Sequence, residues 1–320
     1  MQTPSCSIII PTRNCLNYLP TTLATIEQQQ RDDIEIIIAD DGSTDGTADW
    51  LAARSFGNMR LTRLDTGGIG PAAARNAALA AARSDLIAFL DADDQWLPGK
   101  LAPQIAFHQQ HPNVGLSFTD YVHVTPDGAP HGTCFNYWQC DWVRAANAAY
   151  FVVSQAEARL LSANVVGTST VMASRRVLER VSGFSAASRF AEDWDLWLRM
   201  AAVADVGCST AVTMSYLMRP GSETANRDGR INAMRVIVQR YEGRTEPPMI
   251  NAVRAARARI DVALAEAARE RGEHLTAASA HFKAFSGAPN WRTGRAIAAD
   301  IVTAGRTAMA RRTAGADTKS

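Results

Sequence analysis

Apolar and polar positions alternate in blocks through the first hundred residues. Ser7-Ile8-Ile9-Ile10 is a β-branched run stopped by Pro11. Leu16 to Gln30 follows with helical spacing, placing Leu19, Leu23 and Ile26 on one face. Ile34 to Ala39 reads as a second buried strand, Thr47 to Arg54 as a helix, Arg60 to Leu64 as a third strand, and the alanine-rich stretch Ala72 to Ala82 as a helix by propensity. Leu86 to Leu90 closes the series as a fourth strand. Short β-α units with β-branched, fully apolar strands predict an α/β fold whose parallel sheet is built with right-handed crossovers. Residues 104 to 167 are less regular. From Arg227 onward alanine, arginine and glutamate dominate and strand signals stop, so helices are expected over Ala252 to Arg271 and Leu275 to Phe285, joined at Gly272, and again over Trp291 to Arg312.

The strands end in carboxylates. The second runs into Asp40-Asp41-Gly42-Ser43 and the fourth into Asp91, Asp93 and Asp94. Three carboxylates at the exit of a strand repel one another unless a cation sits among them, and hard cations such as Mg²⁺ or Mn²⁺ take oxygen ligands and share their shell with substrate phosphates. Open α/β sheets bind ligands at the carboxyl ends of their strands. A metal–phosphate site is therefore expected there. The plainer alternative is a solvated acidic turn capping a helix that begins near Trp96, and for Asp40 and Asp41 an Asx-type turn. Gly68-x-Gly70-x-x-Ala73, after a strand and opening a helix, also fits a dinucleotide fingerprint. Against that reading, Pro71 occupies the turn, and the chain's first β-α unit lacks the pattern.

Bulk properties narrow the classes. A net charge of +1 gives no global argument for nucleic acid. No apolar stretch approaches the ~20 residues of a membrane span, and the opening residues lack the basic region and long apolar core of a secretory signal. Cys6, Cys15, Cys134, Cys140 and Cys208 show neither CxxC spacing nor a disulfide framework, so a reduced, cytoplasmic protein is expected.

SIIIPTRN, EIIIADDGSTDGT, GGIGPAAARNAAL and DLIAFLDADDQW, in this order, resemble the family 2 glycosyltransferases of the GT-A fold. Gly167-Thr168-Ser169-Thr170-Val171 with Val181-Ser182-Gly183-Phe184, and Ala191-Glu192-Asp193-Trp194-Asp195-Leu196-Trp197, extend the resemblance over Ser5 to Glu223, about two thirds of the chain. It implies a catalytic domain over 1–226, with a nucleotide-binding half to about residue 100 and an acceptor half after it, a helical extension over 227–313, and a disordered tail over 314–320.

By that resemblance Pro11, Thr12 and Arg13 line the base and ribose of a nucleoside-diphosphate sugar, a UDP-sugar by preference, and Asp40 and Asp41 sit beside them. Asp41 accepts from the base, since a carboxylate suits uracil N3–H. Arg75 and Asn76 face the donor or brace the acidic loop, and Gly68 lies on the donor side. Asp93 leads as the metal ligand for Mn²⁺ or Mg²⁺, with Asp94 and Asp91 in support. The ion neutralises charge on the leaving diphosphate. Asp193 is the general base of an inverting displacement, with Glu192 as the alternative. Capping of a helix start by these carboxylates is compatible with that role. Thr168, Trp194 and Trp138 are candidate acceptor contacts, the acceptor being a glycan or a lipid-linked hydroxyl of cell-envelope polysaccharide synthesis. Arg219-Pro220-Gly221-Ser222 resembles the family's H-P-G-S stretch, with Arg219 replacing histidine. Arginine does not ligate a metal, so a contact to the diphosphate is its natural substitute. A nucleotidyltransferase, an NAD-dependent dehydrogenase using Gly68 and Gly70, and a non-catalytic interaction protein stay open as other classes.

In the tail, Gly272, Ala277, Ala280, Ala284 and Pro289 fall at offsets of half a tetratricopeptide repeat, which must pack against something else. Trp291 to Arg312 places Ile297, Ile301, Val302 and Met309 against Arg292, Arg295, Arg306, Arg311 and Arg312. A packed terminal helix with a solvated face and peripheral contact with anionic lipid are both consistent with that pattern; a homo-oligomer is a separate expectation for the chain.

Overall fold

The computed structural model describes residues 3–54, 60–144, 149–185, 190–219 and 226–316. The strands are β1 Cys6–Thr12, β2 Ile34–Asp40, β3 Arg60–Asp65, β4 Leu86–Phe89, β5 Gln95–Trp96, β6 Val114–Val124, β7 Pro130–Thr133, β8 Phe151–Val152, β9 Met172–Ser174 and β10 Asp205–Leu217. The helices are α1 Leu19–Glu27, α2 Thr47–Ala53, α3 Pro71–Ala81, α4 Leu101–Gln110, α5 Cys134–Trp138, α6 Asp141–Arg144, α7 Ala156–Ser162, α8 Arg175–Arg180, α9 Glu192–Ala201, α10 Arg227–Gln239, α11 Pro247–Glu270, α12 His274–Gly287 and α13 Trp291–Ala316.

The strands form one mixed sheet in the order β3-β2-β1-β4-β9-β6-β10-β5, with β7 on β6 and β8 on β10. The first four run parallel, Ile8 opposite Ile36 on one side and Ala88 on the other. β9 then enters antiparallel between β4 and β6. The strand order reverses at β1–β4, the kind of switch point outside whose carboxyl ends open α/β sheets bind ligands. β1 and β2 are buried on both faces, which is why they read as unbroken apolar runs. Ile8, Ile10, Ile36 and Ile38 pack with Leu19, Leu23 and Ile26 of α1 and with Trp96, Leu101 and Ile105.

Two boundaries differ from the pattern reading. The first helix begins at Leu19 rather than Leu16, because Pro20 is tolerated only in a first turn. Trp96 is not at a helix start. It pairs with Met214 on β10, and α4 begins only after Gly99, which adopts φ +80°.

The chain packs as two units. The first comprises Met1–Leu160 with Asn164–Ser222, and the second Leu161–Ala163 with Glu223–Ser320. Within the second, Ala265 and Ala268 of α11 meet Ala277 of α12 in a seam of small residues. Among the described residues no helix is long and apolar enough to cross a membrane.

Candidate active site

Strand geometry brings the expected donor-side residues together. β1 ends at Thr12 and β2 at Asp40 side by side, the Asp41 amide donates to the Thr12 carbonyl at 2.8 Å, and β4 delivers Asp91 next to them. The Thr12 hydroxyl is buried with no hydrogen-bond partner, which fits a group awaiting a ligand. Pro11 is half-buried and Arg13 exposed.

Asp40 and Asp41 are largely occupied by the fold. Asp40 Oδ1 accepts from the Ser43 amide at 3.0 Å, the Asx-type turn. Asp41 accepts from the Thr66 hydroxyl at 2.8 Å and from the amides of Ile69 and Gly70 at 2.7 and 2.8 Å. Burial pushes its carboxyl up, but these donors and the Gly68 amide outweigh that and hold it below the usual range. Asp41 therefore shapes the glycine loop, and its remaining lone pair is all it could offer a base. The same bonds bear on the dinucleotide fingerprint. The amides of Ile69 and Gly70, which such a motif would aim at a pyrophosphate, are aimed at Asp41. Gly68 is exposed at φ +85°.

The acidic loop carries its own cations. Arg75, on α3, is buried; it donates from Nη2 to Asp91 Oδ1 at 2.7 Å and from Nη1 to Glu192 Oε1 at 2.9 Å. Burial alone would lower its pKa, but the two carboxylates more than reverse that. Arg219 donates from Nε to Asp93 Oδ2 at 2.6 Å, lies 5.1 Å above the Tyr18 ring, and approaches Cys15 Sγ at 3.9 Å. The mutual repulsion inferred from sequence is thus relieved by guanidinium groups. Burial and the charge of Asp91 still keep Asp93 above its ordinary value. Pro220, Gly221 and Ser222 lie outside the described residues.

Asp94 requires a correction. Its side chain is 2% exposed and accepts from the Ser169 hydroxyl at 2.5 Å, and burial drives its carboxyl well above the usual range. It braces the loop and does not face a ligand. Among the described residues no group of three or more His, Cys, Asp or Glu side chains could hold a metal by itself. The donor set fits a cation shared with a diphosphate, using the partly exposed Asp93 carboxylate, since Mg²⁺-type sites commonly take one or two carboxylates plus substrate phosphates. It does not fit an all-protein cage.

Asp193 and Glu192 open α9, where the helix dipole favours anions. They differ in what they are free to do. Glu192 is buried and committed to Arg75. Asp193 is half-buried, accepts from its neighbour's amide, and is oriented by the Thr168 hydroxyl at 3.0 Å. Thr168 therefore holds a carboxylate. Trp194 is a second correction. It is 1% exposed and its indole donates to the Leu160 carbonyl at 2.8 Å, so it is core and not an acceptor platform. Trp138 lies on α5, edge-on to Tyr137 at 5.2 Å.

Asn76, expected beside Arg75, and Ser169 and Arg199, to which the sequence assigns no role, support these elements through contacts that no local pattern encodes. Ser169 ties the acidic loop to the 168–170 turn. Asn76 clamps the Phe184 backbone in both directions, at 2.8 and 2.9 Å. Arg199 pairs with Asp195 and donates to the carbonyls of Val181 and Gly183. Their partners are remote in sequence or are backbone atoms, so no local pattern reports them.

Residues 7–156 match the family model described as glycosyl transferase family 2. Over 129 residues the chain is 37% identical to the putative teichuronic acid biosynthesis glycosyltransferase TuaG of Bacillus subtilis, covering 40% of this chain and 50% of that protein. Over 116 residues it is 38% identical to the Escherichia coli UDP-Glc:alpha-D-GlcNAc-diphosphoundecaprenol beta-1,3-glucosyltransferase WfaP, covering 36% and 45%. The chain spans half or less of the length of these relatives. In fold it is similar to S. aureus TarS 1-349 in complex with UDP-GlcNAc, at 17% identity and TM-score 0.63 over 91% of this chain and 83% of that one. It is equally similar to the mannosyltransferase PcManGT of Pyrobaculum calidifontis in complex with GDP-Man and Mn²⁺, at 22% identity and TM-score 0.63 over 95% and 81%. The fold is that of the GT-A glycosyltransferases, and residues 7–156 are similar to the family 2 glycosyl transferases.

Proposed function

We propose that this family 2 domain moves a sugar from a nucleoside-diphosphate donor, preferentially a UDP-sugar, to a hydroxyl of a glycan or lipid-linked acceptor with inversion. The observation that carries the reading is the pairing across Arg75. One guanidinium holds Asp91, at the carboxyl end of β4, and Glu192, beside Asp193 at the start of α9. A donor-side loop and a candidate base are thereby tied to one guanidinium. The printed names of relatives support the substrate class, since WfaP uses UDP-Glc and a diphosphoundecaprenol-linked sugar.

In this reading Thr12, Pro11 and Arg13 take the nucleoside and Arg219 turns to the diphosphate, exchanging Asp93 for phosphate oxygens. A Mn²⁺ or Mg²⁺ ion held by Asp93 and the donor phosphates would supply Lewis-acid stabilisation of the leaving diphosphate. Asp193, rather than Glu192, accepts the proton of the acceptor hydroxyl as its oxygen bonds to the anomeric carbon. The bond from that carbon to the diphosphate oxygen breaks on the opposite face, inverting the centre. Thr168 keeps the base oriented, and the start of α9 favours its ionised form.

The test is a thermal-shift series with UDP, UDP-sugars, GDP-mannose and NADH, each with and without Mn²⁺. A ligand that binds only the folded state raises the melting temperature. Stabilisation by a nucleoside diphosphate that depends on Mn²⁺ is expected. Stabilisation by NADH alone, or by none of the ligands, would overturn the proposal.

A further inference from the structure

We infer that Ser169 is the positioning residue that holds the donor loop and the base in one register. This rests on the glycosyltransferase reading and deepens it. Ser169 is fully buried on the 3₁₀ turn Thr168–Thr170. Its hydroxyl donates to Asp94 Oδ2 at 2.5 Å and accepts from the Asp91 amide at 3.0 Å, so it grips the acidic loop at two points. Its carbonyl accepts from the Trp96 indole at 2.6 Å, fixing the far end of that loop. One residue earlier, the Thr168 hydroxyl holds Asp193. One residue later, the Thr170 carbonyl accepts from buried Gln104, which also binds Ser117. Three consecutive residues therefore contact the donor loop, the base and the sheet, and a shift of this turn moves the first two together. The Ser169 hydroxyl and the Asp94 carboxyl are both withdrawn from water, so loss of their bond leaves a buried polar group unpaired.

The test compares Ser169→Ala, Ser169→Thr and Thr168→Ala in the full chain. Ser169→Ala should weaken nucleoside-diphosphate binding and lower kcat together, each about tenfold or more. Thr168→Ala should lower kcat and leave nucleotide affinity unchanged, and Ser169→Thr, which keeps the hydroxyl, should recover most of both. Hydrogen exchange supplies a readout independent of turnover. The Asp91 amide should exchange at least tenfold faster in Ser169→Ala while amides of β1 and β2 stay protected. Unchanged Asp91 exchange, or a Ser169→Ala protein that loses melting temperature while keeping kcat and nucleotide affinity, would overturn the assignment. If the unaltered protein binds no nucleotide, the proposed function fails, and the exchange result alone decides the role of Ser169.

A second, independent observation lies on α13. We infer that its outward face rests on an anionic lipid surface. The helix sequence contains five arginines and one aspartate, Asp300, which is buried against Arg269 and His281. Thr293 and Asp300 mark the packed side, and helical spacing puts Trp291, Ala298 and Val302 opposite it. Trp291 is 59% and Val302 53% exposed, and Arg292 and Arg295 lie over the indole at 5.9 and 5.4 Å. An apolar stripe flanked by arginines, with its acidic residue withdrawn, complements anionic headgroups over an acyl boundary. The full chain should float with phosphatidylglycerol vesicles, stay behind with phosphatidylcholine vesicles, and lose at least tenfold in binding on Trp291→Ala or on Arg292→Glu with Arg295→Glu. Equal binding to both vesicles, binding to neither, or a dimer in solution that Trp291→Ala dissociates without any vesicle binding would each overturn it.

Discussion

The two ends of the parallel sheet use the same chemistry for opposite purposes. At the amino end Glu35 is 2% exposed. It accepts from Ser7 at 2.5 Å, from the Arg83 amide at 2.7 Å, and twice from the Arg83 guanidinium at 2.9 and 2.7 Å. One carboxylate is matched by a full set of donors. At the carboxyl end Asp91, Asp93, Asp94, Glu192 and Asp193 share Arg75 and Arg219, and Asp193 has no cationic partner of its own among the bonds described. A saturated ion pair is a fastener, whereas an excess of carboxylates over guanidinium groups leaves chemistry to be done.

The sharpest way to break the comparison is to remove one carboxylate from each end. Asp193→Asn should lower transfer about a thousandfold, the usual scale for a general base, with nucleotide affinity kept. Glu35→Ala should leave transfer untouched. Transfer that survives Asp193→Asn places the base elsewhere. Glu35→Ala should instead lose about 3 kcal/mol in urea unfolding, because it strands the buried donors.

The pH dependence of that loss is set by sign. Burial pushes the Glu35 carboxyl up, but Ser7 and Arg83 hold it below the usual value of 4.5. Its stabilisation is therefore complete above that value and fades as pH falls toward the lower folded one. Glu35→Gln should flatten the acid side of the unfolding curve, and an unchanged acid limb would show that Glu35 adds nothing. A smaller effect is expected at Gly183, at φ +61°, where a Cβ would come within 2.6 Å of Asn76 Oδ1. Gly183→Ala should cost about 2 kcal/mol of stability by urea unfolding, and because Asn76 clamps the turn beside α9 it should also lower kcat.

The smallest effect is a slope. Lys100 is wholly buried, 4.4 Å over the Trp96 ring, and burial lowers it to about 7. Between about pH 7 and 10 the unfolded chain holds a proton that the folded chain has released. Stability should thus climb with pH there, by at most about 1.4 kcal/mol per unit. Lys100→Met should abolish that climb, and a parallel pH profile in the variant would refute it.

How much of this was legible in sequence follows from the range of each signal. The four strands, the carboxylates at their ends and the choice of Asp193 rest on local pattern or contiguous motif; the structure has the strands, and Arg75 ties the Asp91 loop to the helix that Asp193 opens. Asp94 and Trp194 were misread because burial is a tertiary property. A third aspartate beside two partly exposed ones, and a tryptophan beside a candidate base, read alike in sequence whether they face in or out. The bridge from Arg75 to Glu192 joins residues 117 apart, and the hold of Ser169 on Asp94 joins residues 75 apart. No periodicity encodes either. Where the sequence points to a metal among the aspartates, the structure places guanidinium groups from Arg75 and Arg219, whose partners lie far off in the chain and leave no local pattern.

Arg75 has a thermodynamic consequence. A single, permanently charged fork joins the Asp91 loop to the start of α9, so if, as proposed, donor binds at the first and acceptor at the second, their two occupancies are linked through it. Any factor by which a bound donor tightens the acceptor must equal the factor by which a bound acceptor tightens the donor. An ordered sequence of binding in this protein would then describe the faster route to the ternary complex, while the energy joining the two sites stays the same along either route.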